Sequence, residues 1–148
     1  MFTGEQSEHL TTFMNKPHNI IAIDRVSASQ LTGFQRIGTE SVKISADVSW
    51  QSINIKVPAR LIISDKIEDG VRLHTAQLIF RTCESVRDLN RYVYRCRTAD
   101  GNYILIGAPE RPYPVGTVTV SHPDNMTDSQ LDEISVSWTS GHRIPYII

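Results

Sequence analysis

No apolar run in this chain approaches the roughly 20 residues that a membrane-spanning helix needs, so none is expected. Cysteine is scarce: Cys83 and Cys96 are the only two. They form no Cys-x-x-Cys pair, which excludes a zinc knuckle, a thioredoxin-like motif and a disulfide framework. Both are expected to be reduced, buried thiols behaving as small hydrophobes. Charge of either sign is not in excess. A net charge of −1 provides no global field to gather nucleic acid or anionic lipid. Histidine occurs at positions 9, 18, 74, 122 and 142, with no two spaced as a ready metal pair.

Chemical motifs are equally sparse. There is no Walker loop, no G-x-G-x-x-G and no G-x-S-x-G elbow. His74 stands at the wrong end of its strand to serve Cys83 as a base. The neighbouring acids Glu68–Asp69 and Asp132–Glu133 flank turns and read as solvated residues rather than a glycosidase dyad. No catalytic residue, metal or cofactor is therefore expected. The start "MFTGEQSEHLTTFMNK" lacks a basic residue followed by an apolar stretch, so it does not read as a secretory signal, and the expected compartment is the cytoplasm.

What the chain does have is a two-residue beat. The first residues read as a short helical arm over 1–17: Thr3 and Gln6 have capping-box spacing, Leu10, Phe13 and Met14 share a face, and Pro17 ends it. From there to the C-terminus the pattern is that of strands. "HNIIAIDRVSA" (18–28) is a first strand. "SQLTGFQRIGTE" (29–40), with Phe34, is a long loop and a candidate assembly surface. "ESVKISADVSW" then alternates on even numbers from Val42 to Trp50, and "QSINIKVPARLIIS" on odd numbers from Ile53 to Ile63. The slip at Gln51–Ser52 marks a turn, bulge or change of sheet, and Pro58 marks an edge or a break.

Further strands are expected at 73–83, 91–107, 115–122 and 132–139, with a turn over 64–72 centred on Asp69–Gly70 and a polar connector at 84–90. Within 91–107 the register can be argued. A three-residue loop, Ala99–Asp100–Gly101, places glycine at the left-handed position of a bulge. It pairs Cys96 with Ile104 and Tyr94 with Ile106, making one face apolar. The other face then carries Arg95, Arg97, Tyr103 and Leu105. "GAPERPYPVGTV" (107–118) contains Pro109, Pro112 and Pro114, which remove backbone donors and favour a stiff, extended crossover from which Arg111 and Tyr113 project. About eight short strands with turn chemistry between them predict an all-β fold, an antiparallel β-sandwich or small barrel, in one domain over 1–148, with the β part at 18–148. The apolar ending "IPYII", with Tyr146, predicts a docked tail.

Arginine outnumbers lysine by 11 to 4, and the span 72–111 carries a local charge of +3. Arginine beside tyrosine suits protein interfaces, or a face turned toward a DNA backbone.

The stretch "YRCRTADGNYILIGAPERPYPV" (94–115), followed by a polar loop and the strand "DEISVSW", resembles small all-β neck, tail-completion or tail proteins of tailed bacteriophages. The resemblance covers residues 94–139. It implies a non-enzymatic virion subunit near the head–tail connector or tail, partnered by copies of itself and by other virion proteins, with DNA-backbone contact if it lines a channel and no membrane contact. Under it, Arg95, Arg97, Tyr103, Arg111, Tyr113, Phe34, Phe13 and Tyr146 are the expected interface residues. The alternative is a β-module binding a small ligand or glycan through Trp50, Trp138 and the tyrosines.

Overall fold

A computed structural model describes residues 16–84, 86, 88–120 and 131–148. Of the expected helical arm over 1–17, residues 1–15, Phe13 among them, lie outside the described residues, and Lys16 and Pro17 already belong to the first strand. Eleven strands form one open mixed sheet: β1 (Lys16–Ser27), β2 (Gln35–Ile37), β3 (Ser41–Lys43), β4 (Gln51–Ile53), β5 (Ala59–Glu68), β6 (Val71–Thr82), β7 (Tyr92–Thr98), β8 (Tyr103–Ile106), β9 (Val115–Val120), β10 (Asp132–Ser140) and β11 (Tyr146–Ile147). The order is β2-β3-β11-β8-β7-β1-β5-β6-β10-β9, with β4 also pairing β1. The all-β expectation holds at a higher strand count than about eight. The sheet is continuous in its hydrogen bonding, and β11 runs parallel to β3, so it is not purely antiparallel.

Strand β1 is the hinge of this arrangement. Along one side it pairs with β7; along the other it pairs first with β5 and then with β4. Its register against β7 shifts between Ile20 and Ala22. An extra residue in one strand reverses which face the following side chains take. Ile20 and Ile23, of opposite parity, can therefore both enter the same core, where each is 0% exposed. The excluded Ile21 is exposed.

That main core draws on distant parts of the sheet. Leu78 and Phe80 of β6 and Ile134, Val136 and Trp138 of β10 share it with Tyr94, Cys96, Ile104 and Ile106 of β7 and β8. A second, smaller core covers the opposite face of β7–β8. It holds Val26, Leu31, Val42, Val93 and Leu105, with Phe34, Ile44, Val48, Trp50 and Tyr113 packed against it.

The register argued for the β7–β8 hairpin is the one observed: Tyr94 faces Ile106 and Cys96 faces Ile104. Gly101 has φ +92, and the Thr98 and Asn102 backbones close the loop at 2.8 Å. The β5–β6 hairpin closes through Asp69 and Gly70, both at positive φ (53° and 78°). That handedness matches the twist of paired strands, so the strands run on to Glu68 and from Val71 instead of yielding to a long turn over 64–72.

The region 29–50 departs most from expectation. Instead of a projecting loop followed by a strand ending at Trp50, it holds a 3-10 turn (Ala28–Gln30), the short β2–β3 hairpin, and irregular chain from Ile44 to Trp50. The alternation of Val42, Ile44, Val48 and Trp50 reflects burial against the second core; Ala46 breaks out at a turn and is exposed. Gly33 explains part of the path. It has φ +69, and a Cβ there would sit 2.8 Å from the Ser45 backbone nitrogen, so only glycine lets the two arms of this cover close. Pro58 falls in the break between β4 and β5, as its missing donor requires.

Cys83 and Cys96 are both free, but only Cys96 is buried. The expectation of two buried thiols fails at Cys83, which lies just past the end of β6, where the chain leaves the sheet. Strands β6 and β7 are not neighbours, so the two thiols do not share a ladder. Burial, reinforced by the Asp24 charge, pushes the Cys96 thiol far up. We expect a thiol reagent to titrate one cysteine in the native protein and two after denaturation; Cys83→Ser should abolish the native reaction.

Candidate functional site

The crossover at 107–114 leads from β8, deep in the sheet order, to β9 at its far end, so the expected crossover role is met. It is not a straight rod: residues 109–112 bend, and the Arg111–Pro112 bond is cis. Three contacts anchor this strap. Pro114 is buried. Trp138 donates its indole N–H to the Pro112 carbonyl at 2.9 Å. Gly107, at φ +116, lets Pro114 and Val93 approach to where a Cβ would be 3.1 Å from each.

The strap forms one wall of an open groove of about 1100 Å³. Asp88, Asn90, Arg91 and Tyr92 form the other wall, and the first two residues of β9, Val115 and Gly116, extend the strap side. Arg91 is held at φ +59, and its carbonyl accepts the Ala28 N–H at 2.8 Å. Arg91 and Arg111 are exposed, and neither has an ion-pair partner among the described residues.

Arg25 lies behind this wall. It is 8% exposed. Its Nη1 donates to the Asp88 carbonyl at 2.6 Å, and its guanidinium stands 4.0 Å from the Tyr92 ring centroid. Its Nε and the Tyr94 hydroxyl are both buried. The Arg25 guanidinium stands near enough to the Tyr94 hydroxyl to act on it by charge and hydrogen bonding. Burial pushes Tyr94 up to about 12, with the Arg25 charge pulling it back.

The remaining expected interface residues are elsewhere. Arg95 donates through Nε and Nη2 to Asp24, directly opposite on β1, at 3.0 and 2.6 Å. It also lies over Trp50 and Tyr103, at 4.6 and 5.1 Å. Its polar bonds are spent inside the molecule. Arg97 is exposed and 6.0 Å from Tyr103. Phe34 packs against both cores, under Arg36. Tyr146 is 39% exposed on β11. Of the expected set, Arg111 and Tyr113 alone among the described residues meet in the groove. Arg91 and Tyr92, which belong to the arginine-rich span 72–111 and its tyrosines, join them, and Arg25 behind the wall is the addition that the charged pair Asp24–Arg25 inside an otherwise apolar strand signals.

One row of residues has the composition of a hydrolase triad. Asp65, His74 and Ser140 are in register on β5, β6 and β10, and His74 Nδ1 is 2.6 Å from Asp65. The Ser140 hydroxyl, however, accepts the His142 N–H at 3.0 Å, and both His74 and Ser140 are buried. The row bridges three strands. Among the described residues there is no cluster of three metal-ligating side chains and no helix long and apolar enough to cross a membrane.

No known family matches the chain, and neither a curated protein nor a solved structure matches it.

Proposed function

We propose that the protein is a non-enzymatic assembly subunit that joins copies of itself or other proteins through the open ends of its sheet. The observation that carries this is β9. It pairs only with β10 among the described residues, and its sequence, Val-Gly-Thr-Val-Thr-Val, has no charge, no proline and no bulge. Edge strands that must stay alone are normally blunted by lysine, proline or a bulge. Val115 is 67% exposed there. At the other end Ile37 of β2 is exposed, with Tyr146 and Ile148 on the neighbouring strands' side.

In the setting implied by the resemblance of residues 94–139, the neighbours are virion proteins of a tailed phage. The two-sided contribution to one core supports a sheet folded on itself in the manner of a sandwich. The glycan-binding alternative is disfavoured by its own aromatics: Trp138 is 2% exposed and Trp50 is covered by Arg95. Sedimentation over a wide concentration range tests the reading. We expect association that Thr117→Lys with Thr119→Lys abolishes while circular dichroism stays unchanged. A wild-type protein that remains a monomer throughout, and recovers no partner, overturns it.

A further inference from the structure

We propose that the groove between the strap and residues 88–92 binds an extended acidic peptide segment, its carboxylates held by Arg91 and Arg111. The inference names the chemistry of a partner and so rests on the reading of the protein as an assembly subunit.

Three observations carry it. First, the groove is open to solvent and, at about 1100 Å³, stands at the upper end of the roughly 300–1,000 Å³ usual for ligand clefts. A segment of chain fits an open trough better than a compact ligand does. Second, its walls are positive on balance, with two arginines against one acid. Arg91 and Arg111 both line it, and neither is ion-paired among the described residues. Arg25 adds a buried guanidinium behind Tyr92, bonded to a carbonyl rather than a carboxylate. A cation out of water without a counter-charge is costly, and an arriving anion offsets that cost. The one acid on the walls, Asp88, engages the Asn90 N–H through Oδ1 at 3.1 Å. Third, Val115 and Gly116 bring the start of an edge strand to the groove. Backbone groups at such an edge suit an extended peptide, which can add as a further strand.

Nucleic acid is the competing polyanion. It is disfavoured because only two arginines line the groove, whereas backbone-tracking sites rely on many cations.

The test is fluorescence anisotropy with the full-length protein, titrated against labelled eight-residue peptides alternating valine with glutamate, glutamine or lysine, and against an oligothymidylate of equal length. We expect the glutamate peptide to bind at least tenfold more tightly than the glutamine peptide, with affinity falling as salt rises. Arg91→Glu with Arg111→Glu, both exposed sites, should weaken it at least tenfold and make the lysine peptide the better ligand, at an unchanged melting temperature. Equal binding of the glutamate and glutamine peptides, no binding, a preference for the oligothymidylate, or indifference to the double substitution would each overturn the proposal. Sedimentation of the same sample separates the two ideas: association without peptide binding leaves the assembly reading standing and removes this one.

Discussion

Leu105→Ala is expected to destabilise the protein by about 2–5 kcal/mol, as much as Ile104→Ala one residue earlier. In a sheet with one wet face, adjacent residues of a strand cannot both matter, because successive side chains point to opposite faces. Here they do. Ile104 is 1% exposed and lies in the main core, while Leu105 is 0% exposed and lies in the second. The backbone beneath them is equally enclosed: β8 is flanked by β7 and β11, and the Leu105 N–H donates to the Pro145 carbonyl at 3.0 Å. Truncating either side chain removes buried methyl groups and leaves a void that packed neighbours fill only partly. Urea unfolding of both variants checks this. If Leu105→Ala costs less than about 0.5 kcal/mol, the ordinary scale of a surface change, the second core does not exist as described.

That second core is where sequence and structure part company. The period-two rows at 42–50 and 91–106 were legible, and for β7–β8 they fixed the register, because burial of Tyr94, Cys96, Ile104 and Ile106 on one side left a single acceptable pairing. The same alternation at 42–50 misled. Irregular chain lying on a core also turns every second side chain inward, and only backbone pairing tells it from a strand. Leu105 was assigned to an arginine face because its partners, Val26, Leu31 and Val42, come from segments whose folding back over β7–β8 leaves no local trace. Continuity of the sheet was invisible for a related reason. It depends on β1 exchanging partners along its length, which requires the bulge at Ile20–Ala22 and the break at Pro58 to coincide in space. In the groove, Arg111 and Tyr113 were readable from the proline-rich strap. That Arg91 and Tyr92 stand beside them was not, since nothing in the sequence says that residues 88–92 face that strap.

Alkali is expected to weaken the protein from about pH 9 upward, through two buried acids that ionise only in the unfolded chain. Two acids of the main core, Tyr94 and Cys96, are neutral when folded and 0% exposed. Tyr94 is raised from 10.0 to about 12, chiefly by burial. Its contribution to stability is complete below pH 10, where both folded and unfolded states hold the proton. It is lost as pH rises toward 12, because only the unfolded chain then gains by ionising. Cys96 is raised further, by burial and then by Asp24, from an ordinary value of 9.0, so its loss begins one pH unit earlier. Each group costs about 1.4 kcal/mol per pH unit once its unfolded value is passed. By pH 11 the two together remove about 4 kcal/mol, a large share of the roughly 5–15 kcal/mol that holds a domain of this kind. Urea unfolding at pH 7, 9, 10 and 11 should show the decline starting near pH 9 and steepening near pH 10. Tyr94→Phe should remove the steeper portion and Cys96→Ala the earlier one, each compared with its own stability at pH 7. A stability that stays flat to pH 11 would mean that water reaches both groups, and that the β7 face of the main core is not closed.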